Sequence, residues 1–165
     1  MRTLILLIFL SFCLGGCNKS HRPIDLGGVF RYNESKGITS LDPAFARNLS
    51  LIWPVNQIYN GLVQLSDSLT VEPCIAKGWS TSDDGLCYTF YLRNDVYFHN
   101  SSVFPNSEGR RVVASDFVYT FNRIIDSKTA SPGAWVLSVL DKDYPGSVNG
   151  CIASSDTVLE VHLIK

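Results

Sequence analysis

Apolar residues crowd the start of the chain and then break into short, separate clusters. Leu4-Ile5-Leu6-Leu7-Ile8-Phe9-Leu10 is an unbroken apolar run. Further on, Val29-Phe30-Arg31-Tyr32 alternates apolar and polar positions and predicts a strand. Leu41-Asp42-Pro43 predicts a turn, since proline fixes its own φ and pushes the preceding residue out of the α region. Residues 50–59 predict a short helix, in which Pro54 fits only inside the first turn. Residues 62–65 predict a short strand. Cys87-Tyr88-Thr89-Phe90-Tyr91-Leu92 predicts a clearer one, because aromatic and β-branched side chains suit a pleated surface. Ser82-Asp83-Asp84-Gly85 before it has the residue types of a hairpin turn.

Residues 115–125 carry the strongest helical period. Phe117, Val118, Phe121, Ile124 and Ile125 share one face. Ser115 is expected to cap the start, and Asp116 suits the first turn. The aromatic stripe reads as core packing. Residues 157–163 predict a last strand, with Leu159, Val161 and Leu163 on one side and His162 exposed on the other. Residues 100–111 are polar, include Glu108-Gly109-Arg110-Arg111, and read as a solvated loop. Strands, one hairpin and one amphipathic helix together imply an α+β fold. Circular dichroism showing mainly helix, or mainly coil in every buffer, would contradict it.

The leading apolar run changes the compartment. Met1-Arg2 is a short positive start, and the run is too short to cross roughly 30 Å of hydrocarbon. Small residues follow, ending in Leu14-Gly15-Gly16-Cys17, which resembles the bacterial lipobox. The expectation is a signal peptide over residues 1–16, removed by cleavage, and a lipid on the Cys17 thiol. Each buried acyl methylene is worth about 0.8 kcal/mol, so several chains anchor a protein durably. Residues 17–25 then form a polar tether. A net charge of −1 with no basic stripe argues against a nucleic-acid partner.

Five cysteines and three histidines are the candidate chemistry. Cys13 leaves with the signal and Cys17 is lipidated. Cys74, Cys87 and Cys151 allow one disulfide plus an odd thiol, or three small buried apolar residues. Their wide spacing matches no metal site. His21 lies in the tether, His99 at a strand end and His162 on a strand. No Gly-x-Ser-x-Gly elbow, phosphate loop or metal-spaced His/Cys cluster occurs. The sequence therefore points to no catalytic residue, no metal ligand, no cofactor and no enzyme.

Several segments, taken in order, resemble the extracytoplasmic solute-binding proteins of peptide and nickel ABC importers, family 5. They are Ser40-Leu41-Asp42-Pro43, Ile58-Tyr59-Asn60-Gly61-Leu62, Ile75-Ala76-Lys77-Gly78-Trp79, Ser82-Asp83-Asp84-Gly85-Leu86 and Tyr88-Thr89-Phe90-Tyr91-Leu92-Arg93. Ala114-Ser115-Asp116-Phe117-Val118-Tyr119, Lys128-Thr129-Ala130-Ser131-Pro132 and Asp156-Thr157-Val158-Leu159-Glu160-Val161 extend the series. The resemblance implies a two-lobed type II periplasmic-binding-protein fold closing on an extended peptide. Residues 26–59 would begin the first lobe, and residues 60–165 would form the small extra domain of mixed α/β structure. Full-length members are much longer, so the chain is expected to be an amino-terminal fragment, not competent alone.

The resemblance also implies a ligand site. Arg47, Asn48 and Leu49, just after the Leu-Asp-Pro turn, would pair with peptide main chain as an added strand; otherwise they form a surface loop. A second contact would follow Ser131-Pro132. Several peptide binders carry an aromatic there, whereas this chain has Gly133 with Trp135 two residues on. Trp135 fills that place or, the favoured reading, joins the core. The implied partners are an oligopeptide, the permease subunits of an ABC importer, and a membrane through the lipid anchor. The alternatives are a nickel or haem carrier of the same family, and a surface lipoprotein with an adhesive or scaffold role.

Overall fold

The computed structural model describes residues 31–165. The expected leader, the Cys17 lipobox and the tether lie outside the described residues, as do Val29 and Phe30. Arg31 and Tyr32, the rest of that expected strand, belong to no strand.

The sheet grows from the Ser82–Gly85 hairpin. β3 (Ala76–Thr81) and β4 (Cys87–Leu92) flank it and pair antiparallel. Gly85 takes φ +73°, a left-handed turn position that glycine occupies without steric penalty. β5 (Cys151–Ser155) and β6 (Val158–His162) form a second hairpin, and β4 pairs with β6. The result is a four-stranded antiparallel sheet in the order β3-β4-β6-β5. A separate two-stranded ribbon joins β1 (Val63–Leu65) to β2 (Val71–Pro73). Residues Glu34–Lys165 make one compact unit.

Register decides which side chains share a face. Phe90 lies opposite Leu159, and Tyr88 opposite Val161. Leu159 and Leu92 are completely or almost completely buried, and Phe90 and Val161 pack beside them. The helix α2 (Ala114–Ile125) covers this face, lying against β5 and β6. Phe117, Val118 and Phe121 insert into the core, as the helical period predicts. Cys151, opposite Val161, sits on the same face, and burial pushes its thiol up to about 11. It is a small apolar core residue. Cys74, Cys87 and Cys151 are all free thiols.

Two local expectations are corrected. Ser115 does not cap α2, because the N-cap residue is Val113 and Ser115 falls inside the first turn. Asp116 does the work instead: its carboxylate accepts the Val113 N–H at 2.9 Å and a two-pronged bond from Arg110. Desolvation raises the Asp116 pKa, but Arg110 and the Val113 N–H outweigh it and hold the carboxyl below its usual range. Next, Pro54 is not in a first turn. The helix α1 spans Leu49–Asn56, so Pro54 is its sixth residue and removes the N–H that would bond the Ser50 carbonyl. Burial of Leu51, Pro54 and Val55 on one side offsets that loss.

The 100–111 segment is solvated, as its polarity predicts, and is anchored at its end. Arg111 bridges to Tyr97, and the Gly109 backbone passes so close to Phe98 that a Cβ there would fall 1.8 Å from the Phe98 carbonyl oxygen. Among the described residues no helix is long and apolar enough to cross a membrane.

Candidate functional site

Two segments singled out by sequence are tied together by α2 and by one buried hydroxyl. Asp42 caps the 3-10 turn Pro43–Phe45, its Oδ1 accepting the Ala44 N–H at 3.0 Å. The Arg123 guanidinium, one turn from the end of α2, donates to Asp42 Oδ1 at 2.9 Å and to Oδ2 at 2.5 Å. This fork–fork pairing fixes direction as well as distance. Ser131 is buried and donates its Oγ to the Ala44 carbonyl at 2.6 Å. The same Oγ accepts the Gly133 N–H at 3.2 Å. The chain leading to Arg47 and the chain leading to Trp135 therefore start from one pinned point.

The Arg123 hydrogen bonds are the main reason that the Asp42 carboxyl lies below its usual range; desolvation opposes them, and the Ala44 N–H assists. A folded-state pKa lowered in this way gives stability that is present above the unfolded value near 3.8 and is lost as pH falls through the lower folded value. Asp42→Asn keeps the acceptor for Ala44 and removes the charge. Both partners are about a third exposed (35% and 32% side-chain exposure), so solvent screens the pair and its contribution is about 1 kcal/mol or less. Urea unfolding of wild type and Asp42→Asn should differ by that amount at pH 7. The gap should close below about pH 4. A gap that is constant with pH would show that charge is not the cause.

The expected contact residues are placed as follows. Arg47, Asn48 and Leu49 are all exposed. Among the described residues Arg47 makes no hydrogen bond or ion pair. Asn48 is extended (φ −137°, ψ 162°) and caps α1, its Oδ1 accepting the Leu51 N–H at 3.2 Å and the Ser50 hydroxyl at 2.7 Å. Leu49 is already helical. The extended stretch available to an added strand therefore ends at Asn48, one residue earlier than sequence suggests.

Gly133 precedes the 3-10 helix Ala134–Val139, which rests against α2. Trp135 is 75% exposed, which overturns the core reading. The 3-10 turn points Trp135, Val136 and Val139 outward, while Leu140 after it is buried. A cavity of about 780 Å³ opens beside the Asp42–Arg123 pair, walled by Pro43, Tyr59, Tyr97, His99 and the Tyr119 side of α2. It falls in the size range of ligand clefts. Sequence reasoning missed it because its walls come from segments far apart in the chain, as the 42–123 pairing, 81 residues apart, illustrates.

His162 is a further correction. Sequence alternation exposes it, but it is 7% exposed in the structure. The Tyr144 ring stacks on the imidazole, with centroids 3.5 Å apart and planes 12° apart. A loop from outside the strand thus buries the face that alternation assigns to solvent.

This architecture is a mixed α/β part of the two-lobed type II periplasmic-binding-protein fold, a class of solute-binding proteins. Residues 70–165 match the model of bacterial extracellular solute-binding proteins, family 5 Middle, and the chain belongs to that family. It is 30% identical over 130 residues to the periplasmic murein peptide-binding protein MppA of Escherichia coli K12, covering 76% of this chain and 22% of that protein. It is 44% identical over 71 residues to heme-binding protein A of Haemophilus influenzae, covering 42% of this chain and 13% of that protein. The structure of Listeria monocytogenes OppA bound to peptide superposes with a TM-score of 0.68 at 28% identity, covering 78% of this chain and 25% of that one. The chain covers a quarter or less of the length of these relatives.

Proposed function

We propose that the protein containing this chain captures oligopeptides outside the cytoplasmic membrane and hands them to the permease subunits of an ABC importer. In this reading residues 26–59 begin the first lobe and residues 60–165 form the small extra domain. The observation that carries the reading is similarity across three quarters of the chain to a murein peptide-binding protein and to a peptide-bound oligopeptide-binding protein. The geometry supports it. Arg47 is an exposed cation free to meet a carboxylate, the backbone up to Asn48 is extended, and Trp135 is an exposed ring anchored through Gly133 and Ser131 to the same point. Main-chain pairing reads peptide without regard to side chain, which suits capture of mixed peptides.

The test is mass spectrometry on the longest gene product purified from its own host. Co-purified peptides released by denaturation are the expected result. The match to a heme-binding protein favours a second reading, in which the solute is a metal chelate. A Soret absorbance band without peptides would select that reading and remove the first. A surface lipoprotein without a solute would release neither.

We further propose that Cys17 carries the lipid that holds the protein at the membrane. Cys17→Ala is expected to leave a larger, uncleaved precursor with no label after feeding a fatty-acid analogue. Equal labelling of wild type and variant would remove this assignment.

A further inference from the structure

Three side chains from two strands converge on the sheet face opposite α2. In the β4–β6 register Cys87 lies directly opposite His162, and Glu160 is two residues from His162, hence on the same face. The Cys87 Sγ is 4.0 Å from His162 Nε2, and Glu160 Oε2 is 3.6 Å from that same nitrogen. The three donor atoms all lie within 4.8 Å of one another, and they are the one such trio among the described residues.

A hydrogen bond between Cys87 Sγ and His162 Nε2 leaves the Glu160 carboxylate, aimed at the same nitrogen, without a role of its own. An imidazole nitrogen offers either one N–H or one lone pair, yet a thiol and a carboxylate both aim at Nε2. The 3.6 Å separation is long for a nitrogen–oxygen hydrogen bond, and 4.0 Å is the outer limit for one to sulfur. They lie close to the edges of a coordination tetrahedron, with the Cys87–Glu160 separation at up to 4.8 Å the widest. Zinc bonds of about 2.3 Å to sulfur and about 2.0–2.2 Å to nitrogen and oxygen give ligand–ligand edges of roughly 3.3–3.6 Å. Turning the Cys87 and Glu160 side chains about their own bonds has to bring the Cys87–Glu160 edge from up to 4.8 Å to about 3.6 Å.

The surroundings fit the same use. His162 is held by the Tyr144 ring and by its backbone, whose N–H bonds Gly150 at 2.7 Å and whose carbonyl accepts the Asp141 N–H at 2.9 Å. Ser154 Oγ donates to Glu160 Oε1 at 2.6 Å, which orients the carboxylate and leaves Oε2 facing His162. Such outer partners are what fix metal ligands in place. A thiolate and a carboxylate neutralise a divalent ion, so the buried imidazole would sit beside a site of zero net charge.

We propose that Cys87, Glu160 and His162 bind a divalent ion of the zinc class, with water in the fourth position. On binding, the Cys87 thiol transfers its proton to solvent and its sulfur bonds the metal; no electron is transferred. The ion clips β4 to β6 on the face away from the helix and is independent of the peptide site.

Cobalt(II) titrated into the reduced full-length chain is the direct test, because cobalt reports thiolate ligation by a sulfur-to-metal charge-transfer band. One equivalent should produce that band, and zinc should abolish it by displacement. Cys87→Ser should lose the band, whereas Cys17→Ser and Cys74→Ser should keep it. Glu160→Gln, at a partly exposed position, should weaken binding roughly ten-fold or more while its far-UV spectrum stays unchanged. Zinc should raise the melting temperature of wild type and leave that of Cys87→Ser unmoved. The proposal fails if no charge-transfer band forms at a large excess of cobalt, if the band survives in Cys87→Ser, or if Glu160→Gln binds as tightly as wild type.

Discussion

Gly150→Ala is expected to destabilise the fold by about 2–4 kcal/mol, enough to lower the melting temperature by roughly 5–15 °C. Two costs combine. Gly150 has φ +81°, a region that an L side chain enters at a cost of about 1–2 kcal/mol. A Cβ there would also meet backbone rather than a flexible side chain: His162 O at 2.8 Å, Asp141 O at 2.9 Å and Asp141 N at 3.0 Å. His162 O and Asp141 N form the bond that docks the β6 end onto the 141–150 loop, and Asp141 O accepts the Tyr144 N–H within that loop, so none can retreat without breaking a bond. Gly146→Ala separates the two costs. Gly146 has nearly the same φ, +79°, but nothing lies within 4 Å of its added Cβ. It should lose only about 1–2 kcal/mol. Thermal denaturation of the two variants side by side is the measurement, and equal losses would show that the close approach at Gly150 is not a real constraint.

Leu159→Ala should cost about 2–5 kcal/mol. Leu159 is fully buried at the middle of β6, opposite Phe90 on one side and Ala153 on the other, within the cluster that receives Phe117, Val118 and Phe121 of α2. Strands and helix all border it, so collapse around a shortened side chain is limited and a cavity remains. Urea unfolding should show a lower midpoint with an unchanged slope, since the surface exposed on unfolding hardly changes. A loss below about 1 kcal/mol would mean that α2 does not seat on β6 as described.

The elements most legible in the sequence were those with a strong period of their own. Cys87–Leu92 is a strand with the bounds its aromatic and β-branched content predicts, and the Ser82–Gly85 turn joins it to its neighbour. The amphipathic stripe of Phe117, Val118 and Phe121 faces the core. By contrast, β3 (Ala-Lys-Gly-Trp-Ser-Thr) and β5 (Cys-Ile-Ala-Ser-Ser) carry weak strand signals, and each is a sheet edge recruited by pairing with a stronger partner. Bulges in both pairings, between Ala76 and Gly78 and between Ala153 and Ser155, break the simple alternation that a sequence pattern relies on.

The candidate sites divide in the same way. Ordered motifs along the chain were sufficient to assign the family, because the order of turns, strands and helix is written locally. They also singled out Asp42, the segment to Leu49, and the Ser131–Trp135 segment. What local pattern cannot carry is which residues meet. The Asp42–Arg123 fork, the Ser131 bond to Ala44, the outward turn of Trp135 and the burial of His162 beneath Tyr144 each depend on groups distant in sequence. Cys87 and His162 are seventy-five positions apart and become neighbours only because antiparallel pairing sets one opposite the other. Periodicity encodes which face of an element is apolar; the register of strands and the docking of loops decide which polar groups share the face left over.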